Sequence, residues 1–195
     1  MRKYLLIHAL ITSFVFLITS INHAEEPRIT LRSSYRDLSV SEVQSMFNFS
    51  IHKMEDMVLF GYSTVNHNYK KKSINGDRVV IDYATGLMWH QSGSDKYMNW
   101  SDAKKWVQKL NKIGYAGYKN WRLPTVEEAA SLLESSVRKG LYIDAVFSNR
   151  QEWIWTGDKY GSEGVWVVHF LGGYMYWVYF SNENDYDARP VRSVK

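Results

Sequence analysis

Apolar positions recur along this chain in two rhythms. Val126, Ala129, Ala130, Leu132 and Leu133 fall at helical spacing. Thr125 and Glu128 sit immediately ahead of that face as a capping box: the hydroxyl accepts from the N–H of residue 128, and the carboxylate reaches back to the N–H of residue 125. Pro124 holds the chain extended on entry. A helix is predicted over about Val126–Ser135. A second is predicted over about Trp100–Asn111, with Ala103, Val107 and Leu110 on one face and Trp106 beside them; Gly114 and Gly117 end it. Ser39 and Glu42 form another capping box, with Leu38 and Val43 placed as a hydrophobic staple around a short helix that runs to about Met46 or Phe47.

The other rhythm is that of strands, predicted at Arg78–Tyr83, Leu87–Trp89, Glu152–Thr156, Val165–Phe170, Tyr174–Phe180 and Pro190–Val194. Gly172-Gly173 reads as a two-residue hairpin turn, because glycine accepts positive φ. The register then pairs Phe170 with Met175, Val168 with Trp177 and Trp166 with Tyr179 on one face. On the other, His169 meets Tyr176, Leu171 meets Tyr174 and Val167 meets Val178. The first set is apolar and is assigned to the core. The second is left toward solvent or a partner. Residues 25–75 read as an N-terminal extension, irregular after its one short helix. Lys70-Lys71-Lys72 reads as a solvated loop.

The run GYKNWRLPTVEEAASLLE (Gly117–Glu134) resembles the Lcl C-terminal domain family and, more distantly, the RLPTEAEWE segment of formylglycine-generating (sulfatase-modifying) proteins. VVIDYATGLMWHQSGS, MNWSDAKKWVQKLN, EWIWTGDKYGSEGVWVVHFLGG and ARPVRSV resemble further family segments in the same order, over roughly Asp77–Val194. The resemblance implies an α+β fold of the C-type-lectin-like kind: two helices packed on a small, mainly antiparallel sheet. Fold and function are separate inferences.

Composition narrows the function classes. Met1-Arg2-Lys3 and the apolar run Leu5–Ile18 read as a secretory signal, with cleavage after Ala24; uncleaved, the run would act as an anchor. The organisation expected is a signal over 1–24, the extension over 25–75 and one domain over 76–195. The setting is periplasmic or secreted to the cell surface, with no stable membrane span after signal removal. The formal charge is +4, and without Arg2 and Lys3 there are 22 basic against 20 acidic residues, too slight an excess to imply nucleic acid. The chain contains no cysteine, so it has no disulfide and lacks the active-site thiols that the formylglycine-generating enzymes require.

No catalytic residues and no cofactor are assigned. There is no Gly-x-Ser-x-Gly elbow, phosphate-cradling glycine loop or His-Glu-x-x-His pair, and His90 and His169 stand alone in sequence. Arg122 reads as a partly buried arginine tied to carbonyls or acids. The oxygen-rich stretch Ser181–Asp187 lacks the glycine and spacing of an EF-hand, and no metal ligand is assigned there. The remaining candidate is a surface. His169, Tyr174, Tyr176, Asn182, Asn184 and Tyr186 share the composition of adaptable binding faces, in which tyrosine supplies rigid amphipathic area and asparagine flexible hydrogen bonds. Along the strand this site would stretch ~20 Å. The function expected is non-enzymatic recognition of a glycan or protein at the cell envelope, the alternative being a structural or accessory subunit of an envelope assembly.

Overall fold

The computed structural model describes residues 29–180 and 185–194. The expected signal segment, Asn182 and Asn184 lie outside the described residues. The fold is α+β, with two antiparallel sheets. In chain order the elements are α1 (Val40–Gln44), β1 (Phe49–Glu55), β2 (Val58–Ser63), β3 (Tyr69–Ile74), β4 (Asp77–Asp82), β5 (Leu87–His90), α2 (Trp100–Ile113), α3 (Val126–Ser131), β6 (Trp153–Tyr160), β7 (Gly164–His169), β8 (Tyr174–Tyr179) and β9 (Val191–Ser193). One sheet has the order β1-β2-β8-β7-β6 and the other β3-β4-β5-β9. Among the described residues no helix is long and apolar enough to cross a membrane.

Both predicted capping boxes form, at Ser39–Glu42 and Thr125–Glu128. Helix α2 starts at an Asn99 cap and stops at Gly114 in the left-handed conformation. Helix α3 is shorter than its apolar spacing predicts. The Ser131 hydroxyl bonds back to the Glu128 carbonyl at 2.7 Å. The Leu133 carbonyl then accepts from Ser63, and the Glu134 N–H donates to Tyr142, so the chain leaves the helix while Leu132 and Leu133 stay buried.

The extension is not irregular. It supplies three strands. Hairpin β1–β2 widens the first sheet by pairing Leu59 and Phe60 with Met175 and Tyr174. Its turn, Asp56-Met57, has φ of 46° and 67°, a conformation usually marked by Asn-Gly, so the sequence carries no ordinary hairpin signal there. The β3–β4 turn is Asn75-Gly76, with φ of 54° and 88°, and that signal was legible. The three lysines lie exposed on β3, an edge strand, where charge discourages pairing with another chain.

Strand β7 is buried at every position. Trp166 and Val168 enter one core cluster with Met175 and the α3 residues Val126, Ala129 and Ala130. Val165 and Val167 enter a second with Val178, Trp155 and the α2 residues Ala103 and Val107. The face expected to meet solvent is therefore largely a second core. The assignment of residues to faces holds, but the pairing slips by two: His169 meets Tyr174, Val168 meets Met175 and Trp166 meets Trp177. A slip of two keeps every side chain on its face, whereas a slip of one would reverse them. The cause is a four-residue turn in which Gly173 alone of the two glycines has positive φ. Gly172 is needed for another reason: an added Cβ would collide with the Tyr174 ring and His169 Nδ1. Trp121 and Trp166 are buried, along with Trp89 and Trp155, while Trp106 and Trp177 are half-buried.

Residues 29–38 strap the extension onto the rest. Arg32 grips the fully buried Asp158 with bonds of 2.9 and 2.7 Å. The same carboxylate accepts from the backbone N–H groups of Arg36 and Val126, both at 2.7 Å. The Thr125 hydroxyl donates to the Arg32 carbonyl, and the Tyr35 hydroxyl to the Leu123 carbonyl. Arg122 pairs with Glu128 through two bonds of 2.6 Å. It is the structural arginine its sequence setting suggested.

Candidate functional site

Strand pairing builds a row of rings across the five-stranded sheet. Trp153 on β6 pairs with His169 on β7, His169 with Tyr174 on β8, and Tyr174 with Phe60 on β2. Directly paired residues share a face, so these four side chains stand side by side. Trp153 and His169 stack with centroids 3.8 Å apart. Tyr174 meets His169 edge-on at 4.6 Å and Phe60 at 4.9 Å. Beyond the sheet edge, Tyr186 stacks on the other side of Trp153 at 5.0 Å. On β1, the Lys53 ammonium lies 5.4 Å from the Phe60 ring centre.

The position of Tyr186 follows from the path of the chain. Asp187 forms a parallel bridge with Ile154, its N–H donating to the Trp153 carbonyl and its own carbonyl accepting from Trp155. Tyr186 is bridged to Met98. The segment after β8 thus returns along the edge of β6. The expected site along one strand is replaced by one running across strands. Four strand-to-strand steps span ~19 Å, nearly the expected length in a perpendicular direction.

His169 and Tyr186 both stack on Trp153, and Tyr174 meets it edge-on at 5.6 Å. Edges carry the positive end of the aromatic quadrupole, and here they also carry polar atoms. Among the described residues the hydroxyls of Tyr174, Tyr176 and Tyr186 accept from or donate to none, and all three residues are half-buried. The hydroxyls are also mutual neighbours. Burial, followed by the proximity of Tyr174 and Tyr176, raises the Tyr186 phenol above its ordinary range. Burial and Tyr176 do the same to Tyr174. The arrangement is a comb of hydrogen-bonding groups held by locked rings.

His169 occupies the row but contributes differently from the expected ligand contact. It is 9% exposed, clamped between Trp153 and Tyr174, and its buried Nδ1 has no partner among the described residues. Burial pushes its pKa down to about 4, so it is neutral near pH 7. It spaces and orients the two rings beside it. His90 is similarly neutral: burial, then Arg189 and Arg78, brings it to about 4, while its Nδ1 accepts from the Gly93 N–H. His67 turns one ring nitrogen to Asp82 at 2.7 Å and the other to the Ser131 carbonyl at 2.6 Å. Neither nitrogen faces a nucleophile.

A family model described as Lcl C-terminal domain matches residues 78–192, more than half of the 195-residue chain. The chain belongs to the Lcl C-terminal domain family. No curated protein and no solved structure matches it. The Lcl C-terminal domain segment contains Trp153, His169, Tyr174, Tyr176 and Tyr186, whereas Phe60, Lys53 and the Arg32 strap precede it. The extension therefore completes both the sheet and the ring row of the family domain.

Trp153 and Phe60 were not among the sequence-derived candidates. Each is one aromatic among many until pairing places it. Trp153 at the start of a predicted strand opposite the His169 hairpin was the available signal. Phe60 had none, because β2 itself was not recognised. Among the described residues no group of three or more His, Asp or Glu side chains gathers as a metal site. In the oxygen-rich stretch, Asp187 is buried, accepts from the Ser94 hydroxyl at 3.2 Å and leaves Oδ2 without a partner among the described residues.

Proposed function

We propose that this chain is an exported, non-enzymatic recognition module of C-type-lectin-like architecture that binds a glycan across the Tyr186–Trp153–His169–Tyr174–Phe60 row. The observation that carries this reading is the set of three tyrosine hydroxyls without partners among the described residues, held near one another beside stacked rings. A hydroxyl-rich ligand matches such a comb, because each contact pairs a donor with an acceptor along an extended face. Unpaired polar groups on a preorganised surface favour a ligand that satisfies them and reject one that does not. The charged start and apolar run of residues 1–24 support export. The neutral, aromatic-packed state of His90 and His169 supports a role in recognition over one in acid–base chemistry.

A glycan array on the whole protein tests the reading, followed by titration of the best ligand against Tyr174→Phe, Tyr176→Phe and Tyr186→Phe. These changes remove hydroxyls and keep rings, so melting temperatures stay near wild type. Each lost bond weakens binding by roughly 0.5–1.5 kcal/mol. Unchanged affinity in all three variants would reject the comb. A second reading is a subunit whose ring face is covered by a fixed protein partner. Leu171, next to the row at the β7–β8 turn, is 49% exposed and favours an apolar contact there. Co-purification of a stoichiometric partner, lost in Leu171→Glu, would select it.

A further inference from the structure

A concavity lies where the strap crosses the family domain, and it shares no lining residue with the ring row. Its volume is about 370 Å³, within the range of small-molecule sites. Tyr35 and Trp100 form aromatic walls, with Leu123 and Gly157 beside them. Both rings are fixed by their polar ends. Tyr35 donates to the Leu123 carbonyl, and Trp100 Nε1 donates to the Thr156 carbonyl, each at 2.9 Å. A Cβ at residue 157 would overlap the Tyr35 ring, so glycine there lets the wall close.

The rim is cationic. Lys104, one helical turn after Trp100, holds its ammonium 3.5 Å from the centre of the Trp100 ring. Lys159 lies close enough to add its repulsion to the effect of burial, and together they lower the Lys104 pKa. Among the described residues neither lysine has a carboxylate within salt-bridge distance. The neighbouring charges are already engaged. Arg36 pairs with Glu42 at 3.1 Å, and the Asp37 carboxylate accepts from the Gly161 N–H at 2.6 Å. Two ammonium groups thus line an apolar slot, with Lys159 raising the cost of the Lys104 charge. An anion there relieves that repulsion, and Tyr35 and Leu123 accept a flat apolar body beside the Trp100 ring, on which Lys104 and Phe180 already pack.

We propose that this cavity binds an aromatic carboxylate, its ring between Tyr35 and Trp100 and its carboxylate between Lys104 and Lys159. The strap supplies Tyr35 and the family domain supplies Trp100 and both lysines, so the site exists only where the two meet. Two sources share this chemistry: a free aromatic acid, and a peptide that ends in an aromatic residue.

Proton–nitrogen correlation NMR on the whole folded protein tests the proposal, with phenylacetate, phenylacetamide, glucuronate and the dipeptide Gly-Phe with a free or amidated carboxyl end as probes. Phenylacetate is expected to shift the Trp100 indole signal saturably, and phenylacetamide to bind at least ~10-fold more weakly. Lys104→Gln with Lys159→Gln removes that difference, and Lys104→Arg with Lys159→Arg restores it. Both lysines are exposed, so these variants keep the fold. Binding of free Gly-Phe over its amide assigns the peptide source, and indifference between them the free acid. The proposal is overturned if phenylacetamide matches phenylacetate, if glucuronate binds as tightly, or if no probe saturates by about 10 mM. None of these outcomes bears on the ring row, whose variants are separate.

Discussion

Two corners of the molecule bury charge in opposite ways. At the strap, every buried charge has a dedicated opposite. Arg32 closes on Asp158 and Arg122 on Glu128, each through two bonds, and both carboxylates also accept backbone N–H groups. Beside the ring row, Arg189 is wholly buried and faces mostly neutral acceptors: the carbonyls of Gln91 and Ser148 and the side chain of Gln151, with the Phe147 ring 5.0 Å away. Burial lowers its pKa to about 10. Asp187, two residues earlier, makes no ion pair with it, and burial pushes that carboxyl up to about 6. The strap corner uses charge to tie distant segments together. The Arg189 corner uses one cation to gather loop carbonyls and leaves an acid under strain next to Tyr186.

The difference sets the size of the response to mutation. Arg32→Ala leaves the buried Asp158 carboxylate with only its backbone donors, and breaking a buried pair from one side typically costs ~3–5 kcal/mol. A domain of ordinary stability would lose much of its margin. Urea unfolding should show the loss, and Arg32→Ala with Asp158→Asn should recover part of it, because the stranded charge is gone. If the single variant melts like wild type, the strap is not a structural clamp.

Arg189→Met should cost less, about 2–3 kcal/mol, because it strands neutral carbonyls instead of a charge. If its loss equals that of Arg32→Ala, Asp187 and Arg189 are coupled after all. A double-mutant cycle between them measures that coupling directly.

Asp187→Asn should stabilise the protein at pH 7 by about 1 kcal/mol, which raises the melting temperature by ~2–4 °C in a chain of this size. The sign follows from the raised pKa. Between pH ~4 and about 6 the folded state holds a proton on Asp187 that the unfolded state has released. Wild-type stability from this group is therefore lost as pH rises through that window. His90 and His169 act in the opposite sense. Both titrate near 4 when folded, so their contribution is present above the ordinary histidine pKa and is lost as pH falls toward 4. The two effects offset one another in the wild type. In Asp187→Asn that offset is gone, and stability should fall more steeply from pH 6 to 4. Parallel pH profiles for variant and wild type would reject the assignment of strain to Asp187.

The same contrast explains what the sequence made legible. The strap-corner helix announced itself, because a capping box and an apolar period are local patterns. Arg122 between Trp121 and Leu123 read as partly buried and tied to carbonyls or acids, because an arginine among apolar neighbours must find acceptors. Its partner Glu128 was in view as a cap residue only. The Arg32–Asp158 clamp joins residues more than a hundred positions apart and left no local trace. The same holds for Phe60 and Trp153: each becomes a site residue through strand pairing, and pairing across β2–β8 hung on a turn without glycine. The faces of the β7–β8 hairpin survived the misread turn because period two tolerates a slip of two. What could not be read was that both faces are covered, since the helix lying over the second one is distant in sequence.

The capping boxes give the finest test of the comparison, because they set identical motifs in different surroundings. The Thr125 and Ser39 capping boxes have the same bonds, hydroxyl to N3 amide and carboxylate to cap amide. Ser39 is exposed, and its Glu42 pairs with an exposed Arg36. Thr125 is fully buried, and its hydroxyl also donates to the Arg32 carbonyl at 2.9 Å. Removing a cap costs roughly 0.5–2 kcal/mol. Water replaces the lost acceptor at Ser39, so Ser39→Ala should fall at the bottom of that range. At Thr125 no water reaches the Glu128 N–H, and the Arg32 carbonyl loses its donor, so Thr125→Ala should fall at the top. Neither change should alter binding at the ring row, since no cap atom touches it. Equal losses from the two alanines would mean that burial adds nothing to the motif, and the strap corner would then owe its stability to the Arg32 and Arg122 pairs alone.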